Sequence, residues 1–248
     1  MVKRGKKPEA EGEGRSILIN FVLDKSGSME AIRDATISGF NEFKNTQAAE
    51  EGEAYFTLTL FDTRFDTVCK AVPMREVLDL DYASYAPGGM TALYDAIGYT
   101  MRITDDFVVA NKPDQVLFVI MTDGAENSSR EFTRERIFQM IQDRQKLAEY
   151  EFIYLGANQD SYYASQQMGV RAGHSVDYAA SPEGSREAMT RASHNVSAHR
   201  RHGTKLREDF FSPAVESLGA IDPEQWKQMS PEQRKHHLGE DEPQAKGA

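Results

Sequence analysis

Two apolar runs dominate the hydrophobic pattern of this chain, at residues 17–23 and 116–121. Both are rich in β-branched and aromatic residues, and apart from Asn20 neither alternates with polar residues. A strand that is apolar on both sides is typical of the centre of a parallel sheet whose two faces are covered by helices. We therefore predict that both runs are buried strands and that the first is a central parallel strand.

Shorter patterns fill the rest of the first 180 residues. Only Asp62 to Arg64 separate the second and third strand patterns, and three residues are too few for a parallel crossover, so this pair is predicted to be antiparallel. The predicted strands are 16–23, 55–61, 65–72, 115–121, 151–155 and 170–178. Apolar residues at helical spacing predict helices over about 29–49, 91–111, 133–147 and 162–168.

Strands that alternate with helices predict an α/β fold with a doubly wound, mostly parallel central sheet and one antiparallel edge hairpin strand. We divide the chain into a flexible leader at 1–14, an α/β domain at 15–180 and a mainly helical, partly disordered C-terminal extension at 181–248. The extension contains three helix-start signals, each with proline at the first helical position, and we expect short helices there.

Charge and cysteine content narrow the function classes. The 248 residues include 29 basic and 39 acidic side chains, for a net charge of −10, which disfavours nonspecific binding to nucleic acid. Cys69 is the single cysteine, so no intrachain disulfide can form. The basic start of the chain is not followed by an apolar segment, and no run approaches a membrane span. We expect a cytoplasmic protein without a membrane partner.

Oxygen-bearing side chains follow both central strands and precede one helix. Asp24, Ser26 and Ser28 lie at i, i+2 and i+4 after the first strand, Thr91 follows a Gly-Gly turn, and Asp123 ends the 115–121 strand. Ligands of open α/β sheets bind at the carboxyl ends of the strands. Hydroxyl and carboxylate oxygens are hard donors, which suit Mg²⁺, Mn²⁺ or Ca²⁺.

Each part of this set also has a purely structural explanation. Ser26 and Ser28 are suited to a turn and to the N-cap of the helix at Met29, and Thr91 is suited to the N-cap of its own helix. Asp123 and Gly124 are compatible with an ordinary turn. Three such elements, each at a strand end, favour a metal site over three independent caps.

The order and spacing of these three elements resemble the metal-ion-dependent adhesion site (MIDAS) of the von Willebrand factor type A (vWA) domain, with Asp-x-Ser-x-Ser, then Thr, then Thr-Asp-Gly. The resemblance covers roughly residues 15–180 and is to the intracellular bacterial or phage-like members. It implies that Ser26 and Ser28 bind the cation directly and that Thr91 binds directly or through water. Asp24 and Asp123 would hold waters and orient the serines.

The resemblance implies a protein-protein interaction module, in which an open position on the cation accepts an Asp or Glu of a partner protein. It implies no enzymatic activity. Two alternatives are a structural subunit whose metal only stabilises the loops, and a phosphohydrolase with Asp24 as nucleophile. The second lacks the acidic residue expected at position 26, which is serine. Glu208 or Asp209 of the extension are candidates to occupy the open position in cis. The sequence leaves the oligomeric state open.

Overall fold

The computed structural model describes residues 15–147, 149–157, 161–171 and 173–202. The strands are β1 (Ile17–Asp24), β2 (Ala54–Phe61), β3 (Phe65–Pro73), β4 (Gln115–Thr122), β5 (Tyr150–Ala157) and β6 (Ser175–Tyr178). The α-helices are α1 (Arg33–Ala49), α2 (Leu93–Asn111), α3 (Arg134–Gln145), α4 (Ser161–Gln167) and α5 (Pro182–His202). Short 3₁₀ turns cover Gly27–Ile32 and Met74–Glu76.

The six strands form one sheet in the order β3-β2-β1-β4-β5-β6. Every neighbouring pair is parallel except β2 and β3, which form the antiparallel edge hairpin. The predicted fold class is therefore confirmed. In the register of the sheet Leu23 lies beside both Leu60 and Met121, so the carboxyl ends of the three central strands meet at one edge. We call this edge the metal edge.

Helices cover both faces of the sheet, as the two apolar runs predicted. All eight residues of β1 and all eight of β4 are buried. On one face Phe21 meets Phe40 and Phe43 of α1 edge to face, with ring centroids 5.5 and 5.3 Å apart. On the other face α2 and α3 pack on Val22, Phe118 and their neighbours. Both faces of the central strands are thereby removed from water.

Element boundaries differ from the prediction at two places. The helix predicted from Met29 begins only at Arg33, because a 3₁₀ turn at Gly27–Ile32 links the end of β1 to α1. The edge strand predicted over 170–178 is reduced to Ser175–Tyr178. The main-chain N–H of Val170 instead donates to the Ser165 carbonyl, and that of Arg171 donates to the Gln145 side chain, so neither N–H is available for strand pairing.

The described part of the C-terminal extension is one 21-residue helix, which begins at Pro182, the first of the three predicted helix starts, and is longer than the short helices we expected. The other two predicted starts lie outside the described residues. Met189 of α5 lies against Gly39 of α1, and Gln47 of α1 donates hydrogen bonds to Ser193 and Ser197. The two helices therefore run in the same direction, away from the metal edge. The leader at 1–14 and the remainder at 203–248 lie outside the described residues, so the proposed domain bounds stay predictions.

Arg200 fixes the far end of this pair of helices. Its guanidinium donates to the main-chain carbonyls of Gln47 and Glu51, at the end of α1. These carbonyls have no partner within α1, because the last turn of a helix leaves its C=O groups unsatisfied.

None of the described helices is long and apolar enough to cross a bilayer.

Candidate metal centre

Asp24, the last residue of β1, holds the ends of β1 and β4 together at the metal edge. Its side chain is fully buried. One carboxylate oxygen accepts from the main-chain N–H of Ser26 at 2.6 Å, and the other accepts from the hydroxyl of Thr122 at 2.6 Å. Asp24 thus connects the end of β1 to the end of β4 and fixes the turn that carries Ser26.

The two serines and Asp123 form a chain of polar contacts above this carboxylate. The Ser26 and Ser28 hydroxyl oxygens are 3.2 Å apart, and the Ser28 hydroxyl donates to Asp123 Oδ1 at 2.6 Å. Ser26 is buried and Ser28 is exposed. The alternate residues after β1 therefore point toward the end of β4.

Thr91, which lies just before α2, is next to this group of side chains. A methyl group built on Gly124 would lie 3.3 Å from the Thr91 hydroxyl oxygen and 3.9 Å from that of Ser28. The backbone after Asp123 therefore passes directly beside both hydroxyls. The structure brings together all the residues that the sequence singled out: Asp24, Ser26, Ser28, Thr91 and Asp123.

The Gly-Gly turn before Thr91 is held on the β1 loop. Gly88 N–H donates to the carbonyl of Lys25 at 2.8 Å, and Gly27 N–H donates to the carbonyl of Gly89 at 3.3 Å. Gly89 has a φ of +73°, and a Cβ there would come within 2.6 Å of the Thr63 hydroxyl oxygen. Only glycine meets both conditions without strain.

The loop after Asp123 carries two further residues of the site, Glu126 and Asn127, which the three sequence motifs do not include. Asn127 Oδ1 accepts from the N–H of Thr91 at 2.9 Å, and the N–H of Asn127 donates to the Thr91 carbonyl at 3.0 Å. Glu126 accepts from the N–H groups of Tyr94, Ser128 and Ser129, at 2.9, 2.8 and 2.7 Å. This loop is therefore fastened to the start of α2.

Asp95 of α2 also holds the loop after Asp123 in place. Its carboxylate accepts main-chain N–H bonds from Arg130, Glu131 and Phe132, at 2.8 to 2.9 Å. Acidic and amide side chains that precede small polar residues in a loop often bond to nearby main-chain N–H groups, and that pattern is the signal that could have pointed to Glu126 and Asn127. Asp95 sits inside a helical pattern and gives no such signal.

The two carboxylates at this edge carry charge that no basic side chain balances in the part of the chain that the structure describes. Burial raises the pKa of Asp24 to about 6, with hydrogen bonds from Thr122 and Ser26 acting in the opposite direction. Burial also raises the pKa of Asp123, and the Ser28 hydroxyl partly offsets this. The nearby Lys25 pairs with Asp62 instead. A bound cation would relieve the electrostatic cost of both carboxylates.

The donor set fits a hard cation. It consists of three hydroxyls and two carboxylates, and these oxygens suit Mg²⁺ and related ions. No group of three or more His, Cys, Asp or Glu side chains with metal-binding geometry occurs among the described residues, so the site depends on its hydroxyls.

Several solved structures share this architecture. The von Willebrand factor domain of the type V pili tip protein Mfa5 from Porphyromonas gingivalis matches with a TM-score of 0.55 at 9% identity, covering 77% of this chain and 98% of that chain. The chain has the von Willebrand factor type A fold. A vWA protein from Catenulispora acidiphila matches with a TM-score of 0.51 at 15% identity, over 74% of this chain and 43% of that chain.

One of the similar solved structures, a protein from the mussel byssus, has a metal ion bound at its MIDAS motif. Proximal thread matrix protein 1 from the mussel byssus, with a zinc-occupied MIDAS motif, matches with a TM-score of 0.52 at 15% identity. The match covers 73% of this chain and 48% of that chain. The present chain thus spans less than half the length of the mussel and Catenulispora proteins. No family model matches the sequence, and no match to a curated protein was found.

Proposed function

We propose that this vWA-fold protein is a metal-dependent protein-protein interaction module. Ser26, Ser28 and Thr91 would hold the cation, and Asp24 and Asp123 would orient the serines and balance the charge. The observation that carries the proposal is the chain of contacts from Ser26 through Ser28 to Asp123, placed beside Thr91 at the end of the central strands. The ion would be Mg²⁺, with Mn²⁺ or Ca²⁺ as substitutes.

The chemistry of the site explains why a partner would be recognised. Hydroxyl ligands are neutral, so the ion that they hold keeps most of its positive charge. An Asp or Glu side chain of a partner protein then gains a strong electrostatic contact when it takes an open coordination position. Ser28, the outermost of the serines, is exposed, so a partner can approach the site from solvent.

Asp24 is poorly placed for the alternative role of a phosphohydrolase nucleophile. Its side chain is fully buried, and both carboxylate oxygens accept hydrogen bonds, from Ser26 and Thr122. A nucleophile must reach its substrate, and a fully buried carboxylate held in place by these two bonds is not presented to one. The structure therefore supports a binding role over this enzymatic one.

Isothermal titration calorimetry of the purified chain with Mg²⁺ tests the metal site. We expect saturable binding by the wild type and none by the Asp24→Ala/Ser26→Ala double variant. Ser38→Ala is a matched control, because its hydroxyl bonds only to the Ala35 carbonyl within α1. Absence of Mg²⁺, Mn²⁺ and Ca²⁺ binding by the wild type would contradict the proposal.

Capture of native partners separates an interaction module from a structural subunit. The wild type and the double variant are used as bait with Mg²⁺ or with EDTA. A partner retained only by the wild type with Mg²⁺ supports metal-mediated recognition. If Mg²⁺ binds but the same proteins are captured in every condition, the metal serves to stabilise the loops and the protein is a structural subunit.

A further inference from the structure

A buried tyrosine at the metal edge has a hydroxyl that bonds to none of the described residues. Tyr178 is the last residue of β6 and is 7% exposed. Its hydroxyl oxygen is buried and has no hydrogen-bond partner in the part of the chain that the structure describes. An unsatisfied buried hydroxyl is unfavourable, and such groups in native proteins generally bond to a water or a ligand.

The sheet register places this tyrosine level with Asp123. One cross-strand row consists of Thr122, Gly156 and Asp177. The residues that follow this row by one position are Asp123, Ala157 and Tyr178. Ala157 and Tyr178 belong to the core on the α1 and α5 face, and so does Met121, two positions before Asp123. Because alternate residues of a strand face the same side, Asp123 lies toward this face as well. Along this row only the methyl group of Ala157 separates Tyr178 from Asp123.

The electrostatics agree with this placement. Burial raises the pKa of Tyr178 well above its ordinary value, and the carboxylates of Asp123 and Asp24 raise it further. The hydroxyl therefore stays protonated and lies within electrostatic range of both carboxylates. It is a neutral group that can donate one hydrogen bond and accept another.

A second buried tyrosine in the same region has a partner for its hydroxyl and provides a comparison. The Tyr85 hydroxyl donates to the main-chain carbonyl of Asp24 at 2.6 Å. Both tyrosines are buried near Asp24, but only Tyr85 is satisfied by the protein itself, within the part of the chain that the structure describes. Tyr85 is thus a natural control for Tyr178.

We propose that the Tyr178 hydroxyl holds a water of the bound cation's shell and is therefore a positioning residue of the metal site. The inference rests on the proposed metal function. Mg²⁺ gives up its waters reluctantly and usually keeps several of them when it binds a protein. Partners that lie beyond the direct ligands typically change metal affinity 10- to 100-fold. Tyr178 would act at the lower end of this range, because it contacts water rather than a ligand.

The test compares Tyr178→Phe with the wild type, using the full chain and Mn²⁺ as the probe. The electron paramagnetic resonance signal of free Mn²⁺ gives the dissociation constant, and water proton relaxation reports on water bound to the ion. We expect Tyr178→Phe to bind Mn²⁺ about tenfold more weakly and to change the relaxation at saturation. In EDTA its urea unfolding midpoint should stay unchanged or rise, because the variant removes an unpaired buried hydroxyl.

Tyr85→Phe is expected to behave in the opposite way. It loses a bond to the main chain, so its unfolding midpoint should fall both in EDTA and with Mn²⁺. Equal Mn²⁺ affinity of Tyr178→Phe and the wild type would overturn the inference while leaving the metal site intact. Equal destabilisation of Tyr178→Phe with and without Mn²⁺ would also overturn it, since the hydroxyl would then bond an ordinary buried water. A wild type that binds no Mn²⁺ would remove both the site and the inference.

Discussion

Asn127 and Thr91 are joined by two hydrogen bonds that involve the main chain of Thr91 on both its donor and its acceptor side. The side-chain oxygen of Asn127 accepts from the Thr91 N–H at 2.9 Å, and the Asn127 N–H donates to the Thr91 carbonyl at 3.0 Å. This pair fixes the backbone of the one candidate ligand that comes from the α2 side. The loop after Asp123 and the start of α2 therefore move as one unit.

Asn127→Ala should weaken metal binding without unfolding the protein. The variant loses the bond from the Thr91 N–H but keeps the main-chain bond to the Thr91 carbonyl. One such hydrogen bond is worth about 1 kcal/mol, which corresponds to about a fivefold loss of Mg²⁺ affinity by calorimetry. Asn111→Ala is the control, because the Asn111 amide bonds only to the Phe107 carbonyl at the end of α2. Equal affinities for the two variants would contradict the role of Asn127.

The metal-free protein should lose stability as the pH rises through the range in which Asp24 ionises. Burial raises the pKa of Asp24 from 3.8 to about 6 in the folded protein, so the folded state binds its proton more tightly than the unfolded state. The contribution of Asp24 to stability is then greatest at low pH and falls as the pH rises from about 4 to about 7, by up to about 3 kcal/mol. Urea unfolding in EDTA across this range measures the effect.

Asp24→Asn is the matched variant for this pH dependence. Asparagine can still accept from the Ser26 N–H and can donate to the Thr122 hydroxyl, but it does not titrate. We expect a flatter dependence of unfolding free energy on pH in EDTA for the variant. Saturating Mg²⁺ should remove the loss in the wild type, because the cation favours the charged carboxylate. Identical slopes for the two proteins in EDTA would show that Asp24 is not responsible.

The Gly-Gly turn allows a test with adjacent positions. Gly89→Ala forces a side chain into a φ of +73° and within 2.6 Å of the Thr63 hydroxyl, so we expect a loss of at least about 1 kcal/mol in unfolding free energy. Gly88→Ala should be nearly neutral, because a Cβ at Gly88 meets nothing within 4 Å. Urea unfolding of both variants measures the two losses in unfolding free energy. Similar losses at the two positions would argue against the steric explanation.

The attachment of α5 depends on Arg200 more than on its neighbour. Arg200 is buried and donates to the carbonyls of Gln47 and Glu51, whereas the Arg201 side chain is 60% exposed and lies 3.6 Å from Glu50. Arg200→Ala should lower the unfolding free energy by about 2 kcal/mol, and Arg201→Ala by no more than about 0.5 kcal/mol. If chemical denaturation showed a larger loss of unfolding free energy for Arg201→Ala than for Arg200→Ala, Arg200 would not be the main attachment of α5.

The sequence was sufficient where a local pattern has a direct structural meaning. The unbroken apolar runs identified β1 and β4 as central, and their polar ends therefore had to meet at one edge. For this reason the pattern was enough to group Asp24, Ser26, Ser28 and Asp123. Thr91 was added from its place between a Gly-Gly turn and a helix and from the resemblance to the MIDAS motif. Whether they bind the cation remains a prediction.

Features that depend on tertiary contacts were not predictable in this way. The buried face of α5 is built largely from small residues among polar ones, namely Ala188, Met189, Ala192 and Val196. That weak apolar pattern did not indicate one long docked helix. Asp95 and Asn127 bond to main-chain groups 35 to 37 positions away in the sequence, so their roles depend on the fold. The unpaired hydroxyl of Tyr178 likewise has no signature in sequence.

The direction of α5 has a mechanical consequence. The described residues begin at the edge of the sheet opposite the metal edge, where the N–H of Ile17 bonds to the Glu53 carbonyl, and the described part of α5 finishes at that same edge beside Glu51. A partner that pulls on the metal edge while the protein is held through these two ends directs the force along β1. The hydrogen bonds of β1 to β2 and β4 lie across that direction, so they bear the load in parallel, in shear, rather than being peeled apart one at a time.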